Sequence, residues 1–285
     1  MLNERQDEVV RAITDDGSFR VVALRTTDTV KAIVAAQRVK GDEARWLGEL
    51  VTGTIMVRET MAPDLRVQGV LQSAVGRDAL IADSHPDGGA RALVQRTRGG
   101  ALVLGDGAVL QVTRTLPRGS AHKGVVRITG SGGVSASLMA YLQESEQVAS
   151  AIAVSTVMDG DEVVAAGGYL VQLLPELGEG QLAVMTARLE DFPPMSTLLK
   201  DDETTPKTLL AELLYLMPYA VVGSGAVRYQ CRCDSQRLRA TLSTLPPAEL
   251  ESLIAEGKDL EIECDYCHVE YRFPVSELKT LLTVD

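Results

Sequence analysis

All four cysteines of this chain lie within its last fifth, in two short-spaced pairs. Cys231 and Cys233 form a Cys-x-Cys pair in CRCDSQRL, and Cys264 and Cys267 form a Cys-x-x-Cys pair in ECDYCHVEYRF. Four thiols scattered at random would seldom fall into this pattern, so they are expected to act as a set. Three kinds of site fit the spacing: a disulfide frame, a haem attachment at Cys264-x-x-Cys267-His268, and a metal site.

Length and the N-terminus help to choose among these three sites. The chain has 285 residues, enough for about two domains and a core that needs no covalent staples. Its first residues, MLNERQDEVVRAITDDGSF, lack the basic and apolar regions of a secretory signal, and no apolar run is long enough to span a bilayer. We therefore expect a cytoplasmic protein, where structural disulfides are rare. Covalent haem needs an oxidising assembly route and would leave Cys231 and Cys233 unexplained, so a zinc site is favoured.

The spacing of the cysteines suits zinc, which takes four ligands at tetrahedral corners with sulfurs about 3.8 Å apart. Alternate residues of an extended segment leave the same face, so Cys231 and Cys233 can reach one ion. Cys264 and Cys267 add a second pair from a tight turn, and the 30 residues between the pairs leave room for two short helices and a return strand. We predict one Zn²⁺ bound by these four cysteines. His268 could replace one sulfur, but we expect a surface imidazole.

Charge and motif content argue against two common functions. Residues 229–285 carry six Lys or Arg against eleven Asp or Glu, and the whole chain has a net charge of −11 with 4% aromatic residues. This composition repels phosphate and offers no stacking platform for nucleic acid. The sequence contains neither a Gly-x-Ser-x-Gly elbow nor a Walker-type phosphate loop. His85 lies in a turn and His122 between apparent strands, and neither has a partner pattern for a nucleophile or a metal. We expect no enzyme activity.

Residues 1–178 read as an α+β domain. Alternating stretches such as FRVVALR, LRVQGVL, ALVLG, AVLQVTR and GVVRITG predict strands. Helical patterns cover residues 29–37, 42–59 and 135–146, with Asp42 as the expected N-cap of the second helix. The runs VASAIAVSTV and EVVAAGGYLVQLL predict two further buried strands, although periodicity alone does not distinguish these runs from buried helices.

Residues 179–230 have a different pattern, with short helices separated by prolines and charges. One apolar stripe predicts a helix that Pro193 ends: Leu182, Met185, Leu189 and Phe192. After the charged break KDDETTP, Thr205 suits the N-cap of a second helix, KTLLAELLYLM, which Pro218 ends. Short helices of this kind owe their order to packing against a neighbour, so the segment is expected to be conditionally ordered.

The chain resembles the Hsp33 family of redox-regulated chaperones over nearly its full length. The cysteine pattern matches that of the family, in which roughly thirty residues separate a Cys-x-Cys from a Cys-x-x-Cys. YLQESEQVAS, AAGGYLVQLLP and LGDGAVLQVTR resemble its most recognisable stretches, whereas His268 stands where an asparagine is common.

The resemblance implies a chaperone core at residues 1–178, a helical redox-sensitive linker at 179–230 and a zinc-binding redox-switch domain at 231–285. It implies an ATP-independent holdase that is inactive when reduced and zinc-bound. Oxidative stress would activate it through disulfides Cys231–Cys233 and Cys264–Cys267, with zinc release. The expected partners are unfolded client proteins and, when oxidised, a second copy; no nucleic acid or membrane partner is expected. The alternative is a static zinc-stapled protein-interaction adaptor without redox switching.

Overall fold

The computed structural model describes residues 6–97, 100, 102–117, 119–128, 133–175 and 178–282. Contacts between residues divide the chain into two compact units, Met1–Gln230 and Cys231–Asp285. The described residues include no helix long and apolar enough to cross a membrane.

The first unit contains eleven described strands and six described helices. The strands are β1 (Glu8–Thr14), β2 (Phe19–Arg25), β3 (Arg66–Gln72), β4 (Ala79–Ser84), β5 (Gly89–Gln95), β6 (Val109–Thr115), β7 (Ala121–Arg127), β8 (Ser150–Asp159), β9 (Glu162–Leu173), β10 (Tyr219–Ala226) and β11 (Arg228–Tyr229). The helices are α1 (Thr27–Gln37), α2 (Gly41–Glu59), α3 (Gly133–Glu144), α4 (Glu179–Asp191), α5 (Met195–Leu198) and α6 (Pro206–Leu213).

These strands form two sheets around a central helix. One sheet has the order β10-β1-β2-β9-β8 and the other the order β11-β5-β4-β3-β6-β7. Helix α2 contacts β3 and β4 of the second sheet and β8 and β9 of the first. Most of its 19 residues are buried, as expected of a helix enclosed on several sides. The main apolar core of the unit therefore lies around α2.

The other face of the five-stranded sheet is covered by α4, α5 and α6. A second buried cluster joins the strands to these helices. Its strand residues are Val10, Ala12, Phe19, Val21, Ala23, Tyr169 and Val171, and its helix and turn residues are Met185, Met195, Leu209, Leu210, Leu213 and Leu214. Helix α6 starts from a capping box, in which the Thr205 hydroxyl accepts from the Thr208 N–H (3.1 Å). The three helices thus bury an apolar sheet face that would otherwise be exposed.

The stretch after β10 fixes the end of the first unit. Val227 is 6% exposed and belongs to the main core, and its N–H donates to the Asp7 carbonyl (3.0 Å). Strand β11 then pairs in parallel with β5, and the Gln230 N–H donates to the Ala90 carbonyl (2.8 Å). The chain is therefore held to both sheets immediately before Cys231.

The second unit consists of α7 (Ser235–Leu242), α8 (Pro247–Ala255), β12 (Leu260–Glu263), β13 (Glu270–Phe273) and α9 (Val275–Leu281). Strands β12 and β13 form an antiparallel hairpin. The described residues of the second unit include only four buried apolar side chains, namely Leu242, Leu250, Phe273 and Leu278. A core this small contributes little stability of its own.

The predicted α+β class is confirmed, with three local differences. Helix α2 begins at Gly41 and has Lys40 at the N-cap instead of the predicted Asp42. Asp42 lies inside the first turn, where its carboxylate pairs with Arg45 (2.8 Å). ALVLG is not a strand at its described apolar residues 102–104, which connect β5 to β6. Helix α6 ends at Leu213, several residues before Pro218.

Residues 179–230 are not only helical, because β10 and β11 follow α6. By contacts this segment belongs to the first unit. The further division of that unit at residue 178 stays a prediction about how the chain behaves when the second unit is perturbed.

Candidate metal centre

The four cysteine sulfurs converge in the second unit. Their Sγ atoms all lie within 4.8 Å of one another, and they form the one group of three or more potential ligands found among the described residues. Cys231 Sγ is 3.4 Å from Cys233 Sγ and 3.7 Å from Cys264 Sγ, and Cys233 Sγ is 3.3 Å from Cys267 Sγ. A tetrahedral ZnS₄ site has sulfur separations of about 3.8 Å, so this donor set fits zinc in both chemistry and size.

Two local structures position these sulfurs. Cys231 and Cys233 lie in the extended stretch that leads into α7, which begins where the Asp234 carboxylate caps the Arg237 N–H (2.7 Å). Cys264 and Cys267 form the turn of the β12–β13 hairpin, where the Cys264 N–H donates to the Val269 carbonyl (3.0 Å). Between the pairs lie α7, α8 and β12, the two short helices and return strand that the spacing predicts.

His268 follows Cys267 at the end of this turn. Its φ of 56° is left-handed, a conformation that a β-carbon disfavours and that asparagine and glycine adopt more easily. Its N–H donates to the Cys264 carbonyl (2.8 Å), and its Nδ1 contacts the Glu263 carboxylate. The imidazole is not part of the four-sulfur group.

Tyr271 is a contact that the sequence analysis missed. Its hydroxyl donates to Cys233 Sγ at 3.1 Å, and this hydrogen bond raises the pKa of the phenol. Tyr271 and the buried Phe273 are two positions apart on β13 and therefore lie on the same face of the strand, where both rings pack in the small core. The hydroxyl of a core-facing tyrosine commonly has a hydrogen-bond partner. This general rule indicates that Tyr271 has a partner but does not identify Cys233.

The thiols differ in acidity. Burial opposes ionisation of Cys231, but hydrogen bonds from the Cys233 backbone N–H and from neighbouring thiols outweigh it and lower the Cys231 pKa to about 7. Burial raises the pKa of Cys233 and of Cys267, and contacts with other thiols of the cluster add to it. Since thiolates are both the metal ligands and the groups that oxidants attack, Cys231 is the sulfur of these three that ionises first.

The other two histidines lie in the first unit. His85 is buried in the β4–β5 turn, where its N–H donates to the Gly89 carbonyl (2.9 Å), and His122 is exposed on β7. Neither belongs to a group of potential metal ligands among the described residues.

The fold and the cluster define a class: an α+β protein of two units, the second of which carries a four-thiol site suited to a metal. The family model described as Hsp33 protein matches residues 7–274. The chain therefore belongs to the Hsp33 family.

Individual relatives agree with this assignment. The chain is 30% identical to the 33 kDa chaperonin of Syntrophotalea carbinolica, over 97% of this chain and 99% of that protein. It is 29% identical to the 33 kDa chaperonin of Streptococcus sanguinis, over 97% and 98%. The crystal structure of the 33 kDa chaperonin (heat shock protein 33 homolog) of Thermotoga maritima shares the fold, with a TM-score of 0.84, 98% coverage of both chains and 23% identity.

Proposed function

We propose that this protein is a redox-regulated, ATP-independent holdase chaperone, inactive while reduced and zinc-bound. The observation that carries the proposal is the convergence of four sulfurs in a unit with only four buried apolar side chains among its described residues. Such a unit depends on a metal for its fold, so chemistry at the sulfurs is also a folding event. Membership of a family whose relatives are named chaperonins supports the chaperone role.

The sulfurs are the proposed sensor. Zinc, when bound, would hold all four cysteines as thiolates. Each pair of thiolates reacts with one hydrogen peroxide and two protons to give one disulfide and two waters, which removes two ligands at a time. Following the family, we assign the disulfides to Cys231–Cys233 and Cys264–Cys267. Each sulfur of Cys231 and Cys233 lies near two others, so peptide mapping must decide the pairing.

The apolar sheet face under α4, α5 and α6 is the proposed client surface. These helices are short and are joined by the charged segment at residues 201–204 and by Pro193-Pro194, so they are ordered mainly by the apolar cluster beneath them. When the second unit unfolds, we propose that residues 179–226 leave this face. Large exposed apolar surfaces bind unfolded chains, and the net charge of −11 helps to keep the open form soluble.

The test compares reduced, zinc-loaded protein with protein treated with peroxide at mild heat. We expect loss of zinc and of free thiols, new protease cleavage near residues 201–206 and Pro218, resistance of residues 1–178, and suppression of client aggregation, all reversed by reductant with zinc. Because removing any of these cysteines would also remove a zinc ligand, the control is the same wild-type protein heated without peroxide, which should keep its zinc, its protected linker and its lack of holdase activity. Oxidised protein that releases zinc but keeps the linker protected and binds no client would instead be the static adaptor.

A further inference from the structure

The edge strand β10 is unlike the other long edges of the first unit. Edge strand β7 carries His122, Lys123 and Arg127, and charged side chains discourage strand pairing. The middle of edge strand β8 is covered, because the Ser135 hydroxyl bonds both the N–H (3.0 Å) and the carbonyl (3.3 Å) of Val154. Strand β10, YAVVGSGA, carries no charge and no such cover among the described contacts.

Strand β10 is held to β1 mainly by its backbone. It pairs antiparallel with β1 along all seven residues of that strand, but opposite Val9, Val10 and Arg11 it offers only Gly225, Ser224 and Gly223. Glycine and serine bury almost no apolar surface and weaken a strand. The pairing is also irregular, because the register shifts between Arg11 and Ala12 and leaves one extra residue, Val222, in β10.

The side chains of β10 also cover little of the apolar surface beside β1. Directly paired residues lie on the same side of a sheet, so Ser224 and Val221 flank Val10 and Ala12 on the side that α6 covers. Val10 and Ala12 are fully buried in the second cluster, whereas Val221 is 57% exposed. A regular strand with apolar residues at both flanking positions would bury more surface there than β10 does.

We propose that, in the open form, β1 binds an extended segment of an unfolding client as an added antiparallel strand, in the place that β10 occupies when the protein is closed. This inference rests on the proposed function, because release of residues 179–226 also removes β10. Backbone pairing is tolerant of sequence, while the flanking surface favours apolar residues at alternate positions and excludes proline. The partner is therefore a proline-free segment of alternating apolar residues.

Two matched peptides test strand pairing. The first is a blocked peptide of about ten residues with alternating valine and threonine, and the second is the same peptide with N-methyl groups at alternate positions, which removes the backbone donors. With oxidised protein we expect the first peptide to bind at least tenfold more tightly. Hydrogen exchange should show the β1 N–H groups that face β10 losing protection on oxidation and regaining it with the first peptide, while the β1 N–H groups that face β2 stay protected and residues 219–226 remain unprotected.

Other results would overturn strand pairing. Equal binding of both peptides would show that apolar contact alone retains clients, and the proposed function would survive. Protection of residues 8–14 that rises with protein concentration without peptide would show a second copy on this edge. If oxidation neither exposes residues 179–226 nor creates holdase activity, the proposed function itself fails.

A variant that strengthens β10 gives an independent test. A β-carbon added at Gly225 would meet Val9 Cγ1 at 3.8 Å, an ordinary contact, and valine favours strands over glycine. We expect Gly225→Val to weaken peptide binding roughly fivefold while zinc release is unchanged. Val164→Thr, at an exposed site on β9, is the control and should bind the peptide like wild type. Unchanged binding by Gly225→Val would contradict competition between β10 and the client strand.

Discussion

The hydrogen bond from the Tyr271 hydroxyl to Cys233 Sγ can be removed by a single substitution that leaves the four sulfurs in place. Tyr271→Phe keeps the ring on the small core but deletes the hydrogen bond to Cys233 Sγ. Groups that hydrogen-bond metal ligands typically contribute about tenfold to affinity, so we expect zinc to bind about tenfold more weakly. Competition with a chromogenic chelator measures this. Tyr215→Phe, at a 64% exposed site in the first unit, should bind zinc like wild type. Wild-type affinity in Tyr271→Phe would show that the hydroxyl does not support the ligand.

His268 gives the converse case. Because its imidazole pairs with Glu263 and the four sulfurs can by themselves supply a tetrahedral shell, we expect His268→Ala to keep one zinc per chain. Metal analysis of the purified reduced variant checks the stoichiometry. Loss of zinc from this variant would mean that the imidazole is a ligand and that one cysteine is not.

The cysteine cluster could be predicted from the sequence, whereas the Tyr271 contact could not. Within each short-spaced pair the two sulfurs are close because the cysteines are near in sequence. Only the approach of the first pair to the second depends on the fold. The Tyr271 hydroxyl reaches Cys233 across 38 positions, which requires the β12–β13 hairpin and the extended Cys231–Cys233 stretch to be in place. Pairing of this kind has no local sequence pattern.

At the scale of single elements, α6 tests how firmly the covering helices are held. Thr205→Ala removes the N-cap, which typically costs roughly 1 kcal/mol, or about fivefold in the population of undocked helix. We expect faster proteolysis near residues 201–206 and earlier holdase activation at a given peroxide dose. Thr204→Ala, next to the cap, is the matched control. Equal cleavage rates in the two variants would show that α6 does not limit release.

Strand β10, like the short β11, is an element that the sequence patterns did not predict. Its second half, Gly-Ser-Gly-Ala, has low strand propensity, and its apolar residues do not alternate regularly with polar ones. It becomes a strand because β1, near the start of the chain, offers a strand edge with which β10 pairs. ALVLG shows the reverse error: its described residues 102–104 form a connection, in which Val103 bonds to Ser73 and Ala74 just beyond β3 instead of joining a strand ladder. In both cases long-range pairing outweighed local preference.

For the molecule as a whole, one buried carboxyl makes stability depend on pH. Burial of Glu49 on α2 raises its pKa from 4.5 to about 7, and Arg45 offsets only part of this effect. The folded state thus holds the proton more tightly than the unfolded state between these values. The contribution of Glu49 to the free energy of unfolding should therefore fall as pH rises from about 4.5 to 7 and stay low above 7.

Glu49→Gln removes this penalty. We expect the variant to exceed wild type in free energy of unfolding by roughly 1–3 kcal/mol at pH 8, with a smaller difference at pH 5. Urea unfolding of the reduced, zinc-loaded protein at several pH values measures this. The exposed Glu162→Gln control should follow wild type. A Glu49→Gln protein that is less stable at pH 8 would show that the ion pair with Arg45 outweighs burial.

The burial of Val227 in the main core bears on how the proposed clients would be held and released. Since Val227 stays in the main core, the proposed mobile segment is a loop joined to the folded unit at both ends, after β9 and at Val227. A tethered competitor of this kind acts at an effective concentration on the order of millimolar. Under the proposed function each client would have to outcompete this loop, and once the thiols are reduced and the second unit refolds, the loop would displace the client by mass action. Unloading would then need no nucleotide, because the chain carries its own displacing ligand.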